Sequence, residues 1–390
     1  MLRIGLVTGE YPPMQGGVGD YSRLMAEAFA TLGHAVTVVT SPPAVGVVDG
    51  PVRVLPISSR AWGWRDVGRV RQALRGLDVV TMQYQAAAYG AMRPPVHFLP
   101  GWIEAPVVMT FHDLRVPYLF PKAGPLRWQA VVGMARVADG VIVTNPEDYT
   151  TLQQAGGIKR LVEIPIGANV DPTPPHGFDS AAWRAGRGIP AGAWVVGYFG
   201  FLNPSKGGKT LIETVARLVQ MGQPVWLVLI GGRTGTADPA TNAAYGDEVD
   251  ALAAALGVSA RVVRTGYLPA DETAAALLSC DVMVMPYEDG ASFRRGTFMA
   301  CLNHARATIT TRPAVDLPQL VHGENIWLIA PGDVEAAAAG VVQLMTDAGL
   351  RGRLGAGAGV LAQDFTWDKI ATRQVAFFEE IVLWRRAARG

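Results

Sequence analysis

Cysteine is scarce in this chain: two in 390 residues, Cys280 and Cys301, each inside an apolar run. Two such thiols cannot make a disulfide framework or a zinc site, and they point to a reducing, cytoplasmic setting. Net charge is nearly absent, +1 from 34 basic and 33 acidic residues, which argues against a nucleic-acid partner held by bulk electrostatics. No apolar run approaches the ~18 residues of a membrane span. The N-terminal MLRIGLVTGEYPP lacks the apolar region and small-residue cleavage site of a signal peptide.

What the chain has is apolar residues (49%) and 45 glycines, many at the ends of apolar runs. LRIGLVT precedes an amphipathic pattern in which Tyr21, Leu24, Met25, Ala28, Phe29 and Leu32 recur at helical spacing before Gly33. AVTVVT, VRVLPI, VVTMQY, PVVMTF, GVIVT and VEIPIG follow as strand candidates. After the proline-rich DPTPPHG (171–177) comes a second series: WVVGYFG, VWLVLIGG, RVVRTGY, DVMVMP, ATITT and IWLIAP. Uninterrupted apolar runs separated by helices describe parallel sheets covered on both faces. The expected fold is α/β, two Rossmann-like doubly wound domains in tandem, with a boundary near 172. In such sheets ligands bind at the carboxyl ends of the strands, where strand order switches.

Candidate residues fall at those ends. Gly16, Gly17 and Gly19 stand before the first helix, where amides could face an anion or simply form a loop. The strand pattern ends by Thr8, and Pro12 and Pro13 intervene, so this is not a dinucleotide GxGxxG turn. Gln83 and Tyr84 end one run, His112 and Asp113 another, and Gly231 and Gly232 a third; Lys206 lies among glycines before a helix. In PYEDGASFRRGTFM (286–299), two acids and two arginines connect a strand to a helix. That loop either waits for a charged ligand or closes on itself through an Asp289–Arg295 pair.

Taken in order, GGVGDYSRLMAEAFATLGHAVTVVT, TFHD, IPIGANVD, FGFLNPSKG, LVLIGG, RTGYLP, MPYEDGASFRRGTFMACLNHARATITT and DFTWDKIA resemble glycosyltransferase family 4 over nearly the whole chain. The resemblance implies a GT-B fold with a cleft between two domains. These would be 1–172 with a returning C-terminal helix at about 368–390, and 173–367. It implies retaining transfer from a nucleotide sugar, with no cofactor and no required metal. Gly16 and Gly17 match the loop near donor phosphate and acceptor, His112 the histidine near the transferred sugar, and Lys206 the base on the diphosphate. Tyr267 and Leu268 match the segment at the nucleobase edge, and Asp289 a carboxylate that contacts sugar hydroxyls. Gly231, Gly290, Ser292, Arg294 and Arg295 complete the implied donor site, and Gln83 and Tyr84 the acceptor side.

Two positions depart from the family pattern. Phe201 stands where an arginine is usual, and Thr297 where a glutamate holds the ribose. Arg294 or Arg295 is expected to supply the missing cation to the diphosphate, its neighbour pairing with Glu288 or Asp289. The rival readings are a sugar-phosphate synthase, a nucleotide-sugar epimerase, and a non-catalytic scaffold with a degenerate donor clamp. Finally, RAWGWRDVGRVRQALR (60–75) carries five arginines, two tryptophans and one acid. It is either a peripheral contact with the inner face of a membrane or a helix with a wet arginine face.

Overall fold

The computed structural model describes residues 1–44, 51–57, 59, 62–90, 93–114, 126–232 and 239–388, the side chains of 126 and 239–241 excepted. It divides into two compact units: Met1–Ile166 with Trp367–Gly390, and Gly167–Thr366.

In the first unit β1 (Arg3–Thr8), β2 (Ala35–Thr40), β3 (Val52–Pro56), β4 (Val79–Tyr84), β5 (Val107–Phe111), β6 (Gly140–Val143) and β7 (Leu161–Glu163) make one parallel sheet. The strand order is β3-β2-β1-β4-β5-β6-β7, so it switches between β1 and β4. The connecting helices are α1 (Gly17–Thr31), α2 (Trp64–Ala73), α3 (Pro94–Trp102), α4 (Leu126–Val137) and α5 (Pro146–Ala155). Every residue of β4 and β5 is buried, which is why these strands read as largely apolar runs. Helix α5 starts where its sequence says it should: Asn145 caps it by accepting from the Asp148 amide at 2.9 Å, and Pro146 sits at the first turn.

The second unit contains α6 (Ser180–Ala185), β8 (Trp194–Phe199), α7 (Gly208–Gln220), β9 (Val225–Ile230), α8 (Pro239–Ala255), β10 (Val262–Arg264), α9 (Ala270–Leu278) and β11 (Val282–Met285). It continues with α10 (Gly296–Asn303), β12 (Thr308–Thr311), β13 (Trp327–Ile329), α11 (Val334–Thr346) and α12 (Ala348–Ala362). Its sheet is also parallel, ordered β10-β9-β8-β11-β12-β13, with the switch between β8 and β11.

The last helix, α13 (Trp367–Ala387), belongs to the first unit. Ile370, Phe378 and Ile381 are buried there, and Phe378 meets Phe29 of α1 with ring centroids 5.6 Å apart. Arg160 pairs with Glu380 at 2.7 Å, Arg373 donates to the Glu163 carbonyl at 2.8 Å, and Arg385 pairs with buried Asp139. The chain passes from the first unit to the second at Ile166/Gly167, ahead of the proline-rich stretch. Composition marks the prolines, whereas packing marks the point where Asn169 settles against Gly296 of α10.

Candidate functional site

At the switch point of the second unit, the loops after β8 and β11 are fastened together. The Glu288 amide donates to the Ser205 carbonyl at 2.9 Å, and Thr210 Oγ1 of α7 donates to the Glu288 carboxylate at 2.8 Å. Gly207 makes this approach possible. Its φ is +68°, and a Cβ there would stand 1.8 Å from the Pro286 carbonyl oxygen.

These loops gather the charged residues. Asp289 takes both arginines: Arg294 Nη2 donates to Oδ2 at 2.9 Å, and Arg295 Nη2 donates to Oδ1. Their side chains are 5% and 9% exposed, so two guanidinium groups are held largely out of water by one carboxylate. The Arg295 guanidinium also lies 4.0 Å from the ring centroid of buried Tyr287, and its Nε is buried without a hydrogen-bond partner among the described residues. The expectation was that one arginine would serve the diphosphate and its neighbour pair with Glu288 or Asp289; the observed pairing involves both. Both pair with Asp289, because the two oxygens of a carboxylate can each accept from a separate donor. Glu288 faces Thr210 instead.

Lys206 lies close by. Its Nζ and Thr297 Oγ1 are each 3.5 Å from the point where a Cβ on Gly200 would stand, which puts the end of β8, the lysine and the start of α10 in one place. Burial, with Arg295 nearby, lowers the Lys206 pKa to about 7, while Asp289 opposes the shift. Arg295, at the N-cap of α10, makes no capping hydrogen bond. The Arg294 amide donates to Ser292 Oγ at 3.4 Å, and Gly290 turns with φ +84°. Phe201 is half-buried, its carbonyl accepting from Tyr198. Gly231 donates to Thr265 Oγ1 at 3.1 Å, which sets the turn carrying Leu268 and the 65% exposed Tyr267 beside the end of β9.

The corresponding ends in the first unit hold a second cluster. His112 Nε2 lies 3.0 Å from Gln83 Oε1, and Gln83 Nε2 donates to Thr81 Oγ1 at 2.9 Å. An amide oxygen only accepts, so Nε2 carries the histidine proton and Nδ1 keeps its lone pair. Burial lowers the His112 pKa to about 3, and the ring is neutral at physiological pH. Tyr21 packs edge-on against it at 4.6 Å, and is held in turn by Gln374 (2.5 Å to the phenol oxygen) and by Trp367 of α13.

Two expectations change here. Gln83 and Tyr84 are 1% and 2% exposed, and the Tyr84 phenol is bound to His97 at 2.8 Å. β4 is covered on both faces, so both side chains are held inside the fold, Gln83 against His112 and Tyr84 against His97. The amide end expected for a phosphate is also already filled. Glu10 Oε1 accepts from the Val18 and Gly19 amides at 3.0 Å each, and a Cβ on Gly16 would come within 2.2 Å of that oxygen. The part that Glu10, Tyr287, Asn169, Tyr21 and Gln374 play in these clusters is not read from the sequence, where Tyr21 stands only as a position on the face of the first helix. Only Asn169, inside IPIGANVD, carried a signal that could have found it.

Two parallel-sheet units, each with polar residues gathered at its switch point, define the GT-B architecture. Anabaena HepE, in a structure with UDP and glucose, superposes with a TM-score of 0.76 over 97% of this chain and 100% of that one, at 20% identity. The family described as Glycosyl transferase 4-like domain matches residues 16–167, and that described as Glycosyl transferases group 1 matches residues 193–347. The chain belongs to the family 4 glycosyltransferases. It is 25% identical to a D-inositol 3-phosphate glycosyltransferase of Xylanimonas cellulosilytica over 96% of this chain and 94% of the relative. It is equally identical to a GDP-mannose-dependent alpha-(1-6)-phosphatidylinositol monomannoside mannosyltransferase of Mycobacterium tuberculosis, over 97% and 98%.

Proposed function

We propose that this glycosyltransferase moves a sugar from a nucleotide-sugar donor to an acceptor hydroxyl, with retention of anomeric configuration and no required metal ion. The observation that carries this reading is the cation cluster at the β8/β11 switch: Lys206, Arg294 and Arg295 around the carboxylate of Asp289. The GDP-mannose dependence of one relative and the UDP and glucose in a structural neighbour support the donor class.

In the reaction, the bond between sugar C1 and the diphosphate oxygen breaks and its electron pair stays on the diphosphate. The acceptor oxygen bonds to C1, and its proton passes to the departing diphosphate. Charge builds on that leaving group, and the cluster meets it. A cation ~4 Å from a phosphate oxygen contributes about 4 kcal/mol at an effective dielectric of ~20 before desolvation. Felt only in the transition state, that is roughly a thousandfold in rate. The uncapped amides of α10 add to the field. Asp289 orders the two guanidinium groups, and its carboxylate is the acceptor this reading assigns to a sugar hydroxyl. Neutral His112 offers Nδ1 as an acceptor to another hydroxyl. Retention is the stereochemistry the family resemblance implies, and a set of fixed cations in place of a divalent ion is what favours metal independence.

Nuclear magnetic resonance of the product tests both finer claims. From an α-configured donor we expect an α-linked product, at a rate unchanged by EDTA. A β-linked product would overturn retention, and loss of turnover restored by a divalent cation would overturn metal independence.

A further inference from the structure

The first unit also carries an exposed cluster of aromatic rings away from the residues described above. Trp64, at the start of α2, lies 5.9 Å from both Phe98 and Trp102 of α3, and those two rings stack at 5.7 Å with planes 17° apart. The rings lean on one another in water: the three residues are 57%, 55% and 40% exposed. Phe98 and Trp102 are four residues apart, on the outer face of a helix whose Pro95, Val96 and Leu99 are buried.

Charge surrounds them with one sign. Arg65, Arg69, Arg71 and Arg75 are all exposed. Trp64 and Arg71 are seven residues apart on one stripe of α2, and Arg75 lies just past the end of that helix. The 3.9 Å pair between Arg75 and Glu104 brings that end of α2 beside the end of α3. Asp66, the one acid on α2, is buried, its carboxylate accepting from Ser59 and the Gly63 amide. Between Trp62 and Gly76, and between Arg93 and Glu104, Glu104 is the single exposed acid, and Arg75 is already at it.

We propose that this face docks on an anionic lipid surface, with the three rings at the boundary between headgroups and acyl chains and the guanidinium groups on lipid phosphates. Charge complementarity selects this occupant. Size agrees: three half-exposed rings offer on the order of 300 Å², far short of the ~800 Å² per side of a stable protein interface. A membrane needs only a few aromatic anchors and a basic rim.

Co-sedimentation of the full chain with vesicles tests the proposal. Binding is expected to phosphatidylcholine vesicles containing phosphatidylglycerol, and not to phosphatidylcholine alone. Replacing Arg65, Arg69 and Arg71 with Gln should weaken binding roughly fivefold per arginine. A Trp64→Ser, Phe98→Ser, Trp102→Ser variant should lose it, while both variants keep wild-type turnover on a soluble acceptor. Brominated lipids should quench tryptophan fluorescence of the unaltered chain, a readout that stands even if a variant misfolds. Absence of wild-type binding, or of quenching, overturns the proposal. So does concentration-dependent self-association that the aromatic variant abolishes in a chain indifferent to vesicles.

Discussion

On the proposed reading, the protonation state of Lys206 sets the strength of the donor site. With its pKa lowered to about 7 by burial and by Arg295, it is charged below neutrality and increasingly neutral above. A bound diphosphate favours the charged form, so donor affinity is expected to fall as pH rises above about 7, by up to tenfold per unit. The intact sugar nucleotide is the right probe, because its diphosphate diester does not titrate near neutrality. Lys206→Arg keeps its charge and should flatten the profile in titration calorimetry; an identical slope in both proteins would remove Lys206 from the site. His112, with its pKa lowered to about 3, contributes no titration in that range. The sequence places Lys206 and Asp289 at strand ends, but it cannot show that one carboxylate holds two adjacent arginines, since that depends on how the loop turns at Gly290.

At the scale of elements, the strands were the most legible feature. Each apolar run read as a strand lies on one of the thirteen strands among the described residues, because a strand covered on both faces is mostly apolar, with any buried polar side chains, such as Thr81 and Gln83, hydrogen-bonded. The edge of the first sheet is shifted: β7 is Leu161–Glu163, and the IPIG that follows is linker. What lay beyond reading was the glycine turn before α1. Val18 and Gly19 receive Glu10 across eight and nine positions, and two prolines in between hide any local capping pattern. Glu10→Ala should cost about 1–2 kcal/mol, the upper end for a capping residue. That is a loss of several degrees in Tm, at ~2–4 °C per kcal/mol. An unchanged melting curve would mean that solvent or another group serves those amides equally well.

At the scale of the whole molecule, the chain's last segment completes its first unit. Ile370, Phe378 and Ile381 are buried, and burial of each side chain contributes about 1.5–3 kcal/mol. Asp139, 3% exposed, would lose Arg385. A chain ending at Thr366 should therefore lose the near-ultraviolet circular dichroism of a packed first unit; retention of that signal with a cooperative melt would show α13 to be dispensable. The same helix supplies Gln374 and Trp367 to Tyr21, which packs on His112, so the returning segment also braces the candidate sugar-binding histidine.

On the proposed reading, the cations that pair with Asp289 receive the diphosphate of a donor. Titration calorimetry of UDP, GDP, ADP, CDP and dTDP against the unaltered chain and Arg295→Ala tests it most directly. One nucleotide should bind the unaltered chain, and the variant should bind it at least tenfold more weakly, about 1.4 kcal/mol, with its fold intact. Equal affinity in the two proteins would contradict the account.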